Sequence, residues 1–126
     1  MNMIYHIVSR TAAKAAQESG EYRAESLKID GFIHFSQLHQ LLGVANSFYN
    51  GQKDLVILVV DPSRLRAELH YEPPVHPGAE SDAPDQKLDA SVEQLFPHLY
   101  GPLNFDAVLK VVDFPLFAGR FDLPAM

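Results

Sequence analysis

The chain has no cysteine and no tryptophan among its 126 residues. Without cysteine there is no disulfide, no thiolate metal site and no cysteine nucleophile. Long apolar runs are missing as well, since none approaches the ~18 residues of a membrane-spanning helix. The opening Met1-Asn2-Met3-Ile4-Tyr5-His6 has neither the charged start nor the long apolar core of a secretory signal. No membrane association and a cytoplasmic location are therefore expected. Positive charge is scarce. Lys and Arg number 10 against 16 Asp and Glu, a net charge of −6, whereas sequence-independent nucleic-acid binding needs a basic face. A small anionic ligand remains compatible with this, because a few local donors can outweigh the global charge. Neither Gly-x-Gly-x-x-Gly nor Gly-x-x-x-x-Gly-Lys-Ser/Thr occurs, so no phosphate-cradling loop is indicated.

What is present describes a globular protein. The hydrophobic fraction is 47% and the charged fraction 21%, and a chain of this length reads as one domain, residues 1–126. Roughly two-thirds of its unfolded surface can be buried. Met3 to Val8 reads as a buried strand. Ser9 is placed to cap a helix over Thr11 to Glu18, which Gly20 stops. Tyr22 to Leu27 reads as extended and Gly31 to Phe35 as a second strand. Ser36 is then expected to cap a helix from Gln37 to Tyr49, whose Leu38, Leu41, Leu42 and Ala45 share one face. Asp54 to Val60 is a continuous apolar run and predicts a strand buried on both faces. Pro62 to Leu65 suggests one helical turn, and Ala67 to Glu72 a strand ended by Pro73-Pro74. Residues 75–90, with two prolines and several acids, read as a mobile, solvated loop, the alternative being a lid over a site. Phe96 to Leu103 reads as a rigid Pro/Gly loop, and Asp106 to Phe114 as the last strand.

The chemistry concentrates where histidines interrupt apolar strands. In Gly31-Phe32-Ile33-His34-Phe35-Ser36 the strand alternation puts Phe32, His34 and Ser36 on one face and Ile33 and Phe35 on the other. His6 interrupts the first strand in the same way. One histidine inside a strand is commonly a satisfied core residue, but two suggest a shared cleft. Ser36 is either a helix cap or a nucleophile, and free N–H groups at that helix start suit an anion. His98 and Tyr100 either brace their loop or rim a pocket for a planar ligand. Glu72 is either a surface acid or a carboxylate held in place by the prolines after it. Six histidines are many for this length, yet no His-Glu-x-x-His occurs. A zinc site needs three or four convergent ligands. His6, His34 and His98 are the nearest candidates, and no metal is expected.

Tyr5-His6, Gly20-x-Tyr22, Ser26-Leu27, Gly31 to Ser36, Gln40, Ala45-Asn46-x-Phe48-Tyr49, Asp54-Leu55, Tyr71-Glu72 and Phe96 to Leu103 form an ordered series. In that order they resemble the family known as domain of unknown function 952, over nearly the whole chain. Position 35, often small or cysteine in that family, is Phe35 here, and the tryptophan common in its first helix is absent. The family in turn resembles the ADP-ribosyltransferase-like fold. The resemblance implies an α+β architecture: a compact split antiparallel or mixed sheet with two main helices. It further implies a ribose contact at His6, a second-strand pocket wall at His34 and Ser36, and a catalytic acid at Glu72.

Together these readings predict a protein with a polar, His-lined pocket for a small polar ligand, with NAD or an ADP-ribose-like molecule as candidate. Activity, if present, would be ADP-ribosyl transfer or NAD glycohydrolysis, with Glu72 and His34 catalytic and His6, Ser36, His98 and Tyr100 binding ligand. The alternative is a non-catalytic small-ligand or protein-interaction module on the same scaffold. The aromatic tail, Phe114, Phe117 and Phe121, packs on the core in one reading and supports a homodimer in the other.

Overall fold

A computed structural model describes residues 2–74 and 94–126. The loop expected over residues 75–90 lies outside the described residues. The architecture is α+β, and every described strand pairing is antiparallel.

The first sheet has the order β1-β4-β8, with β1 Ile4–Ser9, β4 Leu55–Val60 and β8 Val108–Asp113. The apolar run of β4 takes the centre, as its composition requires, and every one of its residues is buried. Alternation sends Ile4, Val8, Val56, Leu58 and Val60 to one side of the sheet. Tyr5, Ile7, Leu55, Ile57 and Val59 go to the other. Helix α1 spans Arg10–Ser19. Ser9 Oγ accepts from Ala12 N–H at 3.1 Å, and the helix stops at Gly20, whose φ of 93° is left-handed. Helix α3, Leu38–Phe48, presents Leu41 and Ala45 to the second side.

The second sheet has the order β3-β6-β5, with β3 Ile33–His34, β5 Glu68–Glu72 and β6 Phe96–Tyr100. Two short ribbons complete the fold: β2 Glu21–Tyr22 with β7 Leu103–Asn104, and β9 Leu116–Phe117 with β10 Arg120–Phe121. The single helical turn expected after Asp61-Pro62 is present as a 3-10 turn over Pro62–Arg64.

Three expectations need correction. Tyr22 to Leu27 is not one extended stretch: Glu25–Ile29 is a short helix, α2, and its Leu27 packs against the first core cluster. Ser36 does not cap α3. Gln37 does, in a reciprocal box with Gln40, whose Oε1 accepts from Gln37 N–H at 2.8 Å. That box occupies donors that an anion would have used, so the helix start is not an open anion site. Phe96 to Leu103 is not a loop. Most of it is β6, the middle strand of its sheet, despite Pro97. Phe35 N–H donates to Pro97 O at 3.0 Å. Pro97 has no N–H to return the bond, and β3 ends at His34, one residue earlier.

The C-terminal aromatics divide. Phe114 and Phe121 are buried with ring centroids 4.7 Å apart, and Asn46 on α3 accepts from Phe121 N–H at 3.0 Å. Phe117, at 61% exposure, points outward.

Two glycines give opposite predictions. A Cβ at Gly101 would stand 2.7 Å from the Cβ of Ala67, whereas one at Gly43 on α3 meets nothing within 4 Å. Gly101→Ala is expected to cost about 1–3 kcal/mol by overpacking. Gly43→Ala should add about 0.5–1 kcal/mol from helix propensity. Urea unfolding of both variants measures the two signs.

Candidate functional site

The site lies on the seam between the two sheets. After His34 the chain leaves the second sheet and pairs with the first. Tyr5 N–H donates to Ser36 O at 2.9 Å and Ser36 N–H to Tyr5 O at 2.8 Å. One residue after Tyr5 and two before Ser36, the His6 ring crosses the same seam, its Nδ1 donating to His34 O at 2.7 Å. With Nδ1 as donor, Nε2 carries the lone pair, and the Tyr22 hydroxyl donates to it at 3.2 Å. Burial, which the bond to His34 O only partly offsets, lowers the His6 pKa from 6.5 to about 4. Burial, with the nearby Tyr49 hydroxyl adding to it, raises Tyr22 to about 12. The pair is neutral at physiological pH.

The approach to His34 is built locally. Helix α2 ends at Asp30, and Gly31 turns the chain with a φ of 88°, a left-handed value that glycine adopts without a Cβ clash. Ser26 braces the turn: its carbonyl accepts from Gly31 N–H at 3.1 Å and its hydroxyl donates to Phe32 O at 2.8 Å. Asp30 is thereby brought to the His34 ring, with 3.0 Å between Asp30 Oδ2 and His34 Nε2.

A second histidine–carboxylate couple stands beside the first. His34 and His98 are register partners across β3 and β6, and His98 and His70 across β6 and β5. Two residues along β5 from His70, Glu72 reaches diagonally to His98. Glu72 Oε1 accepts from His98 Nδ1 at 2.7 Å and from the Tyr100 hydroxyl at 2.6 Å. Burial pushes Glu72 upward, but these two bonds outweigh it and hold the carboxyl below its ordinary range. Burial lowers His98 despite Glu72. Burial and the bond to Glu72 raise Tyr100 to about 12. Phe32 stacks on His98 with centroids 4.0 Å apart and lies 4.8 Å from His34. Among the described residues no buried side-chain nitrogen or oxygen lacks a partner, and no three His, Asp or Glu side chains converge as a metal cage requires.

Two hollows meet at this seam. A cavity of about 110 Å³ touches His6, His34, Ser36 and His98, and is bordered also by Phe48 of α3 and by Tyr49 just past the end of that helix. An adjoining groove of about 300 Å³ shares His6, His34 and Tyr49 and runs toward Tyr22, Ser26 and Gln52. Four of the residues singled out in the sequence thus line one cavity. Glu72 and Tyr100 do not line it; they stand behind His98. Three participants were not singled out as site residues. Tyr22 and Tyr49 lay inside the quoted series. Asp30 carried one weak signal, an acid four residues before a histidine across a glycine.

The fold recurs in a protein of known structure. The chain belongs to the family described as protein of unknown function (DUF952), whose model matches residues 7–111. It is similar to protein CC0527 from Caulobacter crescentus. The crystal structure of that protein gives a TM-score of 0.75 at 30% identity, covering 95% of this chain and 93% of that one. Its solution NMR structure gives 0.64 at 32% identity, covering 96% and 91%. No curated protein matches the sequence. Among the described residues no helix is long and apolar enough to cross a membrane.

The buried His6 makes a signed prediction. Its pKa is about 4 when folded and 6.5 when free, so below pH 6.5 the unfolded chain binds the extra proton and stability falls as pH falls. Between pH 7 and 4.5 this one group should remove roughly 2–3 kcal/mol. Urea unfolding across that range is expected to show the slope, and His6→Gln should flatten it by that amount.

Proposed function

We propose that this protein binds NAD or an ADP-ribose-like ligand along the seam, on an ADP-ribosyltransferase-like scaffold. The single observation that carries this reading is the pair of adjoining hollows that both border His6 and His34. The cavity of about 110 Å³ has room for one small ring. The adjoining groove of about 300 Å³ brings the whole into the range of ligand sites, ~300–1,000 Å³. The nicotinamide ring enters the cavity, against Tyr49 and Phe48, and the ribose lies over His34 and His6. Direct contact with His6 displaces the Tyr22 hydroxyl, held at 3.2 Å. Two antiparallel sheets split at a seam, with the histidine-bearing strand opening the chain, support the scaffold assignment.

The reaction that suits this site is cleavage of the nicotinamide–ribose bond. Cationic charge moves from the pyridinium to the ribose as that bond breaks. Glu72, held ionised by His98 and Tyr100, supplies negative charge from behind His98, and preorganised charge of this kind stabilises an oxocarbenium-like state. A non-catalytic role for the same pocket is the outcome if ligand binds and no nicotinamide is released.

A thermal-shift panel of NAD, ADP-ribose and nicotinamide tests the proposal. A ligand at ~100 times its Kd adds about 2.7 kcal/mol, a shift on the order of 10 °C here. NAD is expected to give that shift in wild type and to lose it in His34→Ala. A flat panel on folded protein would sink the NAD assignment.

A further inference from the structure

We infer that Asp30 and His34 form a general-base couple, with His34 Nδ1 taking the proton from the water or hydroxyl that attacks the ribose; this rests on the NAD reading above. The argument begins with the tautomer. Asp30 Oδ2 lies 3.0 Å from His34 Nε2. A carboxylate accepts, so Nε2 carries the proton and Nδ1 carries the lone pair. No other described side chain or backbone group bonds the His34 ring. His34 lines both the cavity and the groove. Nδ1 is therefore the nitrogen of the His34 ring left for a ligand's proton, on a residue shared by the two hollows.

The other histidines of the seam are not placed for this work. Both nitrogens of His6 are bonded, to His34 O and the Tyr22 hydroxyl. His98 is 1% exposed, with Phe32 stacked on its face and Glu72 on its Nδ1. His34 has 23% of its side chain exposed and so can exchange a proton with solvent, whereas Asp30, at 11%, is shielded. Shielding strengthens the charge-assisted bond that fixes the ring. The titratable groups facing His34 are Asp30 at the end of α2, His6 on β1 and His98 on β6.

The step balances without a further co-reactant. The bond from the ribose anomeric carbon to the nicotinamide nitrogen breaks, and its electron pair leaves with neutral nicotinamide. An oxygen of water, or of an acceptor hydroxyl, bonds to that carbon. The proton of that oxygen passes to His34 Nδ1 and then to solvent. His34 is the catalytic residue in this scheme, and Asp30 is a positioning residue that orients the ring and stabilises the imidazolium.

Carbethoxylation by diethylpyrocarbonate, mapped by residue with mass spectrometry on the full chain, tests the couple without needing turnover. The reagent attacks an unprotonated, accessible ring nitrogen. His34 is expected to react faster than the exposed His39 and His70, which serve as internal references. Asp30→Asn should slow His34 about tenfold, the factor one charge-assisted hydrogen bond is worth, with His39 and His70 unchanged. Asp30→Glu should restore part of the rate. Equal His34 rates in wild type and folded Asp30→Asn would overturn the inference. So would a wild-type His34 no faster than the exposed references, a result that needs no variant. Saturating NAD separates the two claims. Protection of His34 together with the tenfold effect supports both. The tenfold effect without protection keeps the couple and removes NAD; protection with equal rates does the reverse.

Discussion

The seam bond from His6 to His34 holds the site together. Two sheets that share no continuous ladder are joined by the paired backbone bonds between Tyr5 and Ser36 and by the His6 ring beside them. A buried imidazole can do this only if it is neutral and both nitrogens are satisfied. The chain meets that demand with one carbonyl acceptor and one hydroxyl donor. An apolar residue at position 6 would pack but would leave His34 O and the Tyr22 hydroxyl without this partner. Leaving buried polar groups unpaired costs about 1–3 kcal/mol each.

From that constraint the rest follows outward. Fixing His34 O fixes the backbone that carries the His34 ring, and the Gly31 turn then decides where Asp30 stands. Register across β3 and β6 sets His98 against His34. The diagonal between β5 and β6 sets Glu72 against His98, the kind of i, j±2 neighbour that long side chains reach. Both histidine–carboxylate couples are consequences of strand pairing and one helix end. Their hydrogen bonds hold the two couples in place before any ligand arrives, and no buried polar side-chain atom among the described residues lacks a partner.

What the sequence made legible was what local pattern encodes. The apolar run Leu55 to Val60 could only be a central strand, and Ser9 and Gly20 bracket the first helix by capping chemistry. Alternation put Ile33 and Phe35 into the core, away from His34. What it hid was decided by partners far along the chain. Pro97 and Gly101 read as loop residues, yet Pro97 sits in a middle strand at the position where the missing N–H only shortens its neighbour β3. Ser36 looked like a cap because serine caps well. Its backbone is instead engaged with Tyr5, and the two glutamines that follow it close the helix start. Asp30 was hidden because its spacing to His34 crosses from a helix end into a strand, where neither the helical nor the strand period applies. Glu72 and His98 are 26 residues apart and meet only through register.

The charge of the site bears on what it prefers. At neutral pH His6 is uncharged and burial keeps His98 from protonating readily, while Glu72 is ionised behind it. A chain with a net charge of −6 adds no long-range attraction for a phosphate. Arg10, the cation nearest the start of α1, is already bonded to Asp54 and Asp113. The anion that the NAD reading requires would have to be held by neutral donors along the groove, such as Gln52 and the Tyr49 hydroxyl. The cavity end, by contrast, offers two histidines backed by the carboxylates Asp30 and Glu72, which in the proposed reading favour a cationic ring or a carbon developing positive charge over a neutral one. Differential stabilisation of that kind distinguishes a catalytic pocket from a merely complementary one. It is also why the carboxylates behind the histidines, rather than the histidines alone, decide how this seam is read.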